Sequence, residues 1–357
     1  MKKYEQAIDY LMKNVLPNLS AGDKIPPETQ LAKEAGVCLM TLRRGVDELC
    51  LRGILSRIPE HRAIVESSAK ESSKQINVLL IRLESDVYYT EILLNLQQQM
   101  LASGRFKPML HSIATLESPR DYEKYFFNVV LDMAIKNKIN VVLVIPGNVN
   151  VITIEKHFAK YGISLLTVFG EIGDCHHQIM HDLSYATYYG LYNLYVSGCR
   201  HLFYLGNISD VNCSRWTGVK RFFNEFFPME DPCTHAINIL GYFEEGFKAF
   251  KRLMEKNTVV DGIQAHNDEA AAGIIAAAKE HGIRIPEQLS VVGIDNLSRN
   301  TNMKPRLTSF AVPIDELIRE IQYALEQLAK HDPAKSILRI ILYPMMHPGE
   351  TIRNNSH

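Results

Sequence analysis

Five short groups of polar and aromatic residues, each directly after an apolar run, hold most of the chemistry open to this sequence. They are Ser85–Tyr89, Gly170–Asp182, Arg215, Asn267-Asp268 and Asp295-Asn296. The groups mix aromatic faces, carboxylates, amides and one guanidinium. That mixture suits a polyol: flat rings cover the apolar face of a sugar while Asp, Asn and Arg bind its hydroxyls, often bidentately. A second set is basic. Within Met40–Arg62 five arginines (43, 44, 52, 57 and 62) stand against Asp47, Glu48 and Glu60, a local charge of +2, and Arg forks fit guanine edges and phosphates. A third set, Cys175-His176-His177-x-x-x-His181, has metal-ligand residue types but no helix-compatible His pair backed by a carboxylate, so a polar loop at a cleft mouth is expected there. Phosphate-cradling glycine loops, H-E-x-x-H and G-x-S-x-G do not occur. No residue is nominated as catalytic, as a metal ligand or for a cofactor.

The elements that must position these residues fall into two patterns. Tyr4, Ile8, Leu11, Val15 and Leu19 recur at three to four residues and predict a helix ending near Pro17–Gly22. A second short helix starts at Glu28, with Leu31, Ala32 and Ala35 on one face, and Gly36 supplies a left-handed stop. A third runs from about Met40 to Arg52, with Leu42, Val46 and Leu49 inward and Thr41, Arg43, Arg44 and Asp47 on or near the other face. GILSRI and RAIV, separated by Pro59–His61, predict a short hairpin. The Ser- and Lys-rich stretch Glu66–Gln75 has no apolar periodicity and is expected to be a linker. Beyond it, runs such as INVLLI, VVLVIP, SLLTVF, HLFYLG and LSVVGID alternate with helix-length amphipathic stretches. Uniformly apolar runs imply strands covered on both faces, hence a doubly wound parallel α/β sheet, and about 280 residues is long enough for two lobes.

Composition narrows the function. The chain has 357 residues, 46% hydrophobic and 22% charged, with a formal charge of −1, so any nucleic-acid binding has to be local. Six cysteines without a C-x-x-C pair fit reduced thiols in a cytoplasmic protein. The first residues lack the unbroken apolar run of a signal peptide, and no stretch approaches the roughly 20 apolar residues of a membrane helix.

The run GDKIPPETQLAKEAGVCLMTLRRGVDELCLRGILSR resembles the winged helix-turn-helix of the GntR family of bacterial transcription regulators. The resemblance rests on Gly22-Asp23, Pro26, Leu31-Ala32, Gly36-Val37, Thr41, Arg43, Leu49, Gly53 and Ile54 over about 60 residues. It departs from the family at Thr29, where Arg is usual, at Cys38-Leu39, where Ser-Arg is usual, and at the wing tip Glu60-His61-Arg62, where glycines are usual. AHNDEAAAGIIAAAKEHGIRIPEQLSVVGIDN, with PRLTSFAVPIDELIREIQYALEQL after it, resembles the LacI/GalR-family effector domain, itself similar to periplasmic sugar-binding proteins. Weaker likeness extends over residues 76–350, and the combination resembles arabinose-responsive repressors.

These resemblances imply a winged helix-turn-helix at 1–66, a linker at 67–75 and a two-lobed periplasmic-binding-protein-like effector domain at 76–357. Lobe 1 would comprise about 76–182 and 312–330, and lobe 2 about 183–311 and 331–357, with crossovers near 182–184, 309–312 and 329–333. Thr41, Arg43, Arg44, His61 and Arg62 would contact DNA. Arg215, Asn267 and Asp295, with Tyr88 or Tyr89 and the crossover residue Asp182, would hold a small carbohydrate. Asp268 is expected to cap the following helix, and Trp216 to pack in the core. The implied protein is a homodimeric, operator-binding repressor, cytoplasmic and not an enzyme. An enzyme acting on a sugar or nucleoside is the rival reading, and a DNA module turned protein-interaction element is the third.

Overall fold

In the computed structural model, the described residues are 3–20, 22–51, 54–58, 62–65, 75–83, 87–113, 116, 118–146, 152–169, 176–209, 214–297, 302–330 and 337–353. They divide into two compact units, residues 1–77 with 99–107, and residues 78–98 with 108–357.

In residues 3–65 of the first unit, helix Lys3–Tyr10 continues through a π-helical turn, Leu11–Val15, and a 3-10 turn, Leu16–Asn18. Helices Glu28–Glu34 and Leu39–Leu51 follow, then antiparallel strands β1 (Leu55–Ile58) and β2 (Arg62–Val65). Lys24 bridges to Ile64 on the hairpin's other edge. The predicted face packs as expected: Ala7, Leu11, Leu31, Leu42, Val46, Leu49, Leu55 and Ala63 share one core. Gly36 has φ +66, the left-handed value that ends the second helix.

The second unit contains two six-stranded sheets. The first has the order β13-β7-β6-β5-β3-β4, from Arg339–Leu342, His177–His181, Ser164–Val168, Val141–Ile145, Ile76–Arg82 and Phe106–Ser112 respectively. The second has the order β14-β12-β11-β10-β8-β9, from Met345–His347, Thr308–Ala311, Ser290–Ile294, Gly262–Ala265, Leu202–Gly206 and Ala236–Asn238. Every residue of β5, β6, β8, β10, β11 and β12 is buried, which is why β5 and β8 read as unbroken apolar runs, while the others carry a buried Ser, Thr or Gln. Within the second sheet β14 alone among the registered pairs is antiparallel, to β12.

The chain passes between the sheets three times. The first passage lies between β7 and helix Leu183–Val196, and the second between β12 and helix Ile314–Lys330. The third corrects the sequence expectation of 329–333. Strand β13 pairs in parallel with β7 in the first sheet, so lobe 1 extends to Leu342 and the passage falls at 343–344. Helix Ile314–Lys330 also stays with the first sheet, where the Ser164 hydroxyl donates to the Leu328 carbonyl. Residues 331–336, and the expected linker over 66–74, lie outside the described residues.

The His-rich run is also corrected. His177–His181 is strand β7 and not a loop, and it lies between β6 and β13. His176 and His177 are 0% and 2% exposed. Each ring is bonded through one nitrogen: His176 Nε2 meets Thr167 Oγ1 at 3.0 Å, and His177 Nδ1 accepts from the Leu338 N–H at 3.0 Å, while His176 Nδ1 and His177 Nε2 are buried without a hydrogen bond. Cys175 lies outside the described residues. Among the described residues no group of three His, Cys, Asp or Glu could hold a metal ion, and no helix is long and apolar enough to cross a membrane.

Candidate functional site

On helix Leu39–Leu51 the nominated residues turn toward their own chain. The Arg43 Nε donates to Glu28 Oε2 at 3.1 Å, and Glu28 also pairs with Arg57. Arg57 in turn grips Asp47 Oδ1 from Nε and Nη2 at 3.0 and 2.6 Å. This chain of charges ties both helices to β1, with the Glu28 side chain only 5% exposed. The Arg44 guanidinium lies 4.7 Å over the Tyr4 ring, and Thr41 Oγ1 sits 3.0 Å from Cys38 Sγ at the start of the helix. His61, and the side chain of Arg62, lie outside the described residues.

In the second unit, the nominated ligand residues sit at carboxyl ends of strands and at the starts of helices, where open α/β sheets bind ligands. Tyr88 and Tyr89 begin helix Val87–Ser103 and form an aromatic wall with Phe169, centroids 5.6 to 6.1 Å apart. Phe169 stacks on His181 at 4.4 Å. Tyr88 also lines a cleft of about 270 Å³ with Glu91, Asp295, Asn296, Leu297, the second passage Ala311–Ile314, and His347. Burial, followed by the Asp295 carboxylate, pushes the Tyr88 hydroxyl well above its ordinary pKa, while Arg215 opposes the rise. Tyr88 is therefore within electrostatic reach of both.

Three nominated polar residues are placed differently from one another. Asp182 caps helix Leu183–Val196 by accepting from the Tyr185 N–H at 2.8 Å. Asn267 caps helix Asp268–Glu280, accepting from the Ala270 N–H at 2.9 Å. This corrects the assignment of that cap to Asp268, which starts one residue further in. Asp268, 1% exposed, instead accepts from the Leu297 N–H at 2.9 Å and the Ser309 hydroxyl at 2.6 Å, and so holds the turn after β11. Within that turn Asp295 has φ +109 and Asn296 φ +49, and Phe169 has φ +64. Strained non-glycine backbone of this kind clusters at binding sites.

Arg215, in the first turn of helix Ser214–Phe226, has no hydrogen bond or ion pair among the described residues, and its Nε is buried without a partner. Trp216 beside it packs inward, stacked on Tyr204 at 6.1 Å. His181, which the sequence reading placed in a polar loop, and His266, which it did not nominate, feel the Arg215 charge. Burial first, then Arg215, holds His181 down to about 3 and lowers His266 well below the ordinary range. His266 Nδ1 faces the backbone N–H of Asn207 at 3.3 Å and the Tyr204 hydroxyl at 3.2 Å. An N–H only donates, so this network assigns the ring proton to Nε2. His266 directly follows strand β10, as the nominated residues follow theirs, and that signal could have found it.

Residues 192–352 match the family described as periplasmic binding protein-like domain. Among curated relatives, the NTD biosynthesis operon regulator NtdR of Bacillus subtilis is 27% identical over 167 residues, 45% of this chain and 49% of that protein. The HTH-type transcriptional repressor CytR of Escherichia coli is 35% identical over 83 residues, 23% of this chain and 24% of that one. This chain thus spans about half the length, or less, of the curated relatives it matches. A solved LacI family transcriptional regulator from Enterococcus faecium, with bound ribose, superposes with a TM-score of 0.62 at 18% identity, covering 77% of this chain and 98% of that chain. The two-sheet α/β unit accordingly has the periplasmic-binding-protein-like fold of LacI-type regulators.

Proposed function

We propose that this chain is a bacterial transcription repressor that binds a two-fold symmetric operator as a homodimer and responds to a small carbohydrate in the cleft between its two sheets. The observation that carries the reading is the pairing, on one chain, of two parts. One is a three-helix segment closed by an antiparallel hairpin, and the other is a two-sheet unit sharing its fold with proteins named as transcription regulators.

The helix order, the Gly36 turn and the hairpin support a GntR-like winged helix-turn-helix, in which helix Leu39–Leu51 enters the major groove by its first residues. Thr41, Arg43, Arg44, His61 and Arg62 are its proposed DNA contacts. Arg43 and Arg44 are pre-oriented by Glu28 and Tyr4, so their stems are fixed before DNA arrives. On the sensing side, Tyr88, Tyr89 and Phe169 supply ring faces, while Arg215, Asp295, Asn267 and Asp182 supply polar atoms. Capping uses one oxygen of each, which leaves the Asn267 amide N–H2 as donor and the second Asp182 carboxylate oxygen as acceptor for a ligand.

A gel-shift with DNA from upstream of the gene, repeated with sugars added, tests the reading. Ligand should shift operator affinity by about 5- to 150-fold, and operator should shift ligand affinity by the same factor. Ligand affinity identical with and without operator would show two uncoupled sites and end the regulatory reading.

A further inference from the structure

Building on the sensing site just proposed, we infer that its ligand is an anionic carbohydrate, a polyol bearing a carboxylate or phosphate, whose anion seats on Arg215 between His181 and His266. Three observations converge on that point.

The first is the state of Arg215. Its guanidinium makes no ion pair or hydrogen bond among the described residues, and its Nε is shut off from water. An unpartnered guanidinium N–H shut off from water, on a side chain that is itself half-buried, is a cost that native structures seldom carry for packing alone. Its position adds to that cost: it lies in the first turn of the 13-residue helix Ser214–Phe226, where the macrodipole opposes a cation and favours an anion. A bound anion turns each of these unfavourable terms into a favourable one.

The second is the company it keeps. His181 immediately precedes the cap of helix Leu183–Val196, and His266 immediately precedes the cap of helix Asp268–Glu280. Helix Leu183–Val196 packs close enough to helix Ser214–Phe226 that a Cβ on Gly218 would lie 2.2 Å from the Ser184 carbonyl. Three helix N-termini therefore start around the Arg215 charge, the arrangement that favours phosphates and carboxylates in other α/β sheets. His266 is held as a neutral ring with its proton on Nε2, a fixed donor. Burial and the Arg215 charge keep His181 neutral as well, so that neither ring adds a second uncompensated cation before ligand arrives.

The third is the cleft at the Tyr88 end of the proposed site. Asp295, Glu91, Asn296 and His347 line it beside Tyr88, and Asp295 is the charge that acts most strongly on Tyr88. Acceptors at that end suit sugar hydroxyls, and the ring faces of Tyr88, Tyr89 and Phe169 lie alongside. The site is bipolar, with cationic donors at one end and acceptors at the other. A neutral sugar would satisfy only the second.

The chain's sole tryptophan reports on this point, because Trp216 adjoins Arg215 and stacks on Tyr204, whose hydroxyl faces His266. We would titrate the full-length protein at constant ionic strength with inorganic phosphate, D-gluconate and glucose 6-phosphate, and with glucose and sorbitol as neutral controls, following Trp216 emission. Saturable change with at least one anion is expected, weakened between about tenfold and a hundredfold in Arg215→Gln, the range for one charge-assisted hydrogen bond. Phosphate-bearing and carboxylate-bearing probes separate the two sources of the anion. No saturable response to any anion, or a response that Arg215→Gln leaves within twofold, would overturn the inference. A response to neutral sugars alone that is lost in Asp295→Asn would also overturn it, while leaving the sensing reading intact. Thermal unfolding of Arg215→Gln controls for folding and should match or exceed the wild type.

Discussion

Arg43, nominated from the basic face of a helix, and Arg215, nominated among the polar residues that follow apolar runs, are treated oppositely by the structure. Arg43 is bonded to Glu28, a buried carboxylate 15 residues upstream that also pairs with Arg57. Arg215 has no such carboxylate. The buried acid of the second unit, Asp268, is already committed to the Leu297 N–H and the Ser309 hydroxyl. In the first unit the acid completes the arginine and stiffens the fold; in the second it stiffens a turn and leaves the arginine free for something outside the chain. An arginine's role is thus set by where the nearest carboxylate is spent.

The comparison can be broken most sharply at Asp268. Asp268→Ala strands a buried N–H and hydroxyl, so a loss of about 3 kcal/mol is expected in chemical denaturation. A loss below about 1 kcal/mol would mean that the turn after β11 does not depend on it. Glu28→Gln is expected to cost about 2 kcal/mol, less because both its arginines are about one-third exposed to solvent. If the midpoint of unfolding did not move, the Arg43–Glu28–Arg57 chain would be ornamental to stability.

A pH series sharpens the other half. His181 is held neutral down to about 3 in the folded chain, against about 6.5 when unfolded. Between those values the unfolded state binds a proton that the folded state refuses. Stability must therefore fall as pH falls through that window, by up to about 1.4 kcal/mol per unit, and be fully present above it. His181→Asn should flatten the slope, as read from thermal midpoints between pH 4 and pH 7. The smallest effect is expected at Arg44→Ala, which removes the contact with Tyr4 and should cost about 0.5–1 kcal/mol. A larger loss in operator affinity than in stability would separate its DNA role from its packing role.

Most of the fold was legible because its signals are local. The three N-terminal helices, the Gly36 turn and the hairpin each follow from spacing and turn chemistry within a dozen residues, and the buried strands read as apolar runs. The failures share a non-local cause. Asn267 and Asp268 are adjacent residues of equal capping aptitude, and only the three-dimensional path of the turn after β11 decides which one caps. The run His176–His181 reads as a loop because its polar side chains find partners far from it in sequence, as His177 does at Leu338, 161 residues away. The third passage at 343–344 depends on β13 choosing β7 as its neighbour, a pairing that no periodicity announces. At the candidate site, residue types after strands were legible as candidates, but which of them is already bonded depends on partners far along the chain.

The backbone at Asp295, φ +109 with Asn296 at φ +49 behind it, also bears on how such a sensor can change its taste. Most side chains are excluded from that conformation by their own Cβ, and Gly, Asn and Asp are the residues that visit positive φ most readily. A lineage exploring new ligands therefore finds few single-step exits at this position, and each of them keeps the turn while altering its charge. Drift in specificity is channelled toward the neighbours that carry no such constraint, Tyr88, Tyr89 and Arg215, leaving Asp295 as the conservative end of the cleft.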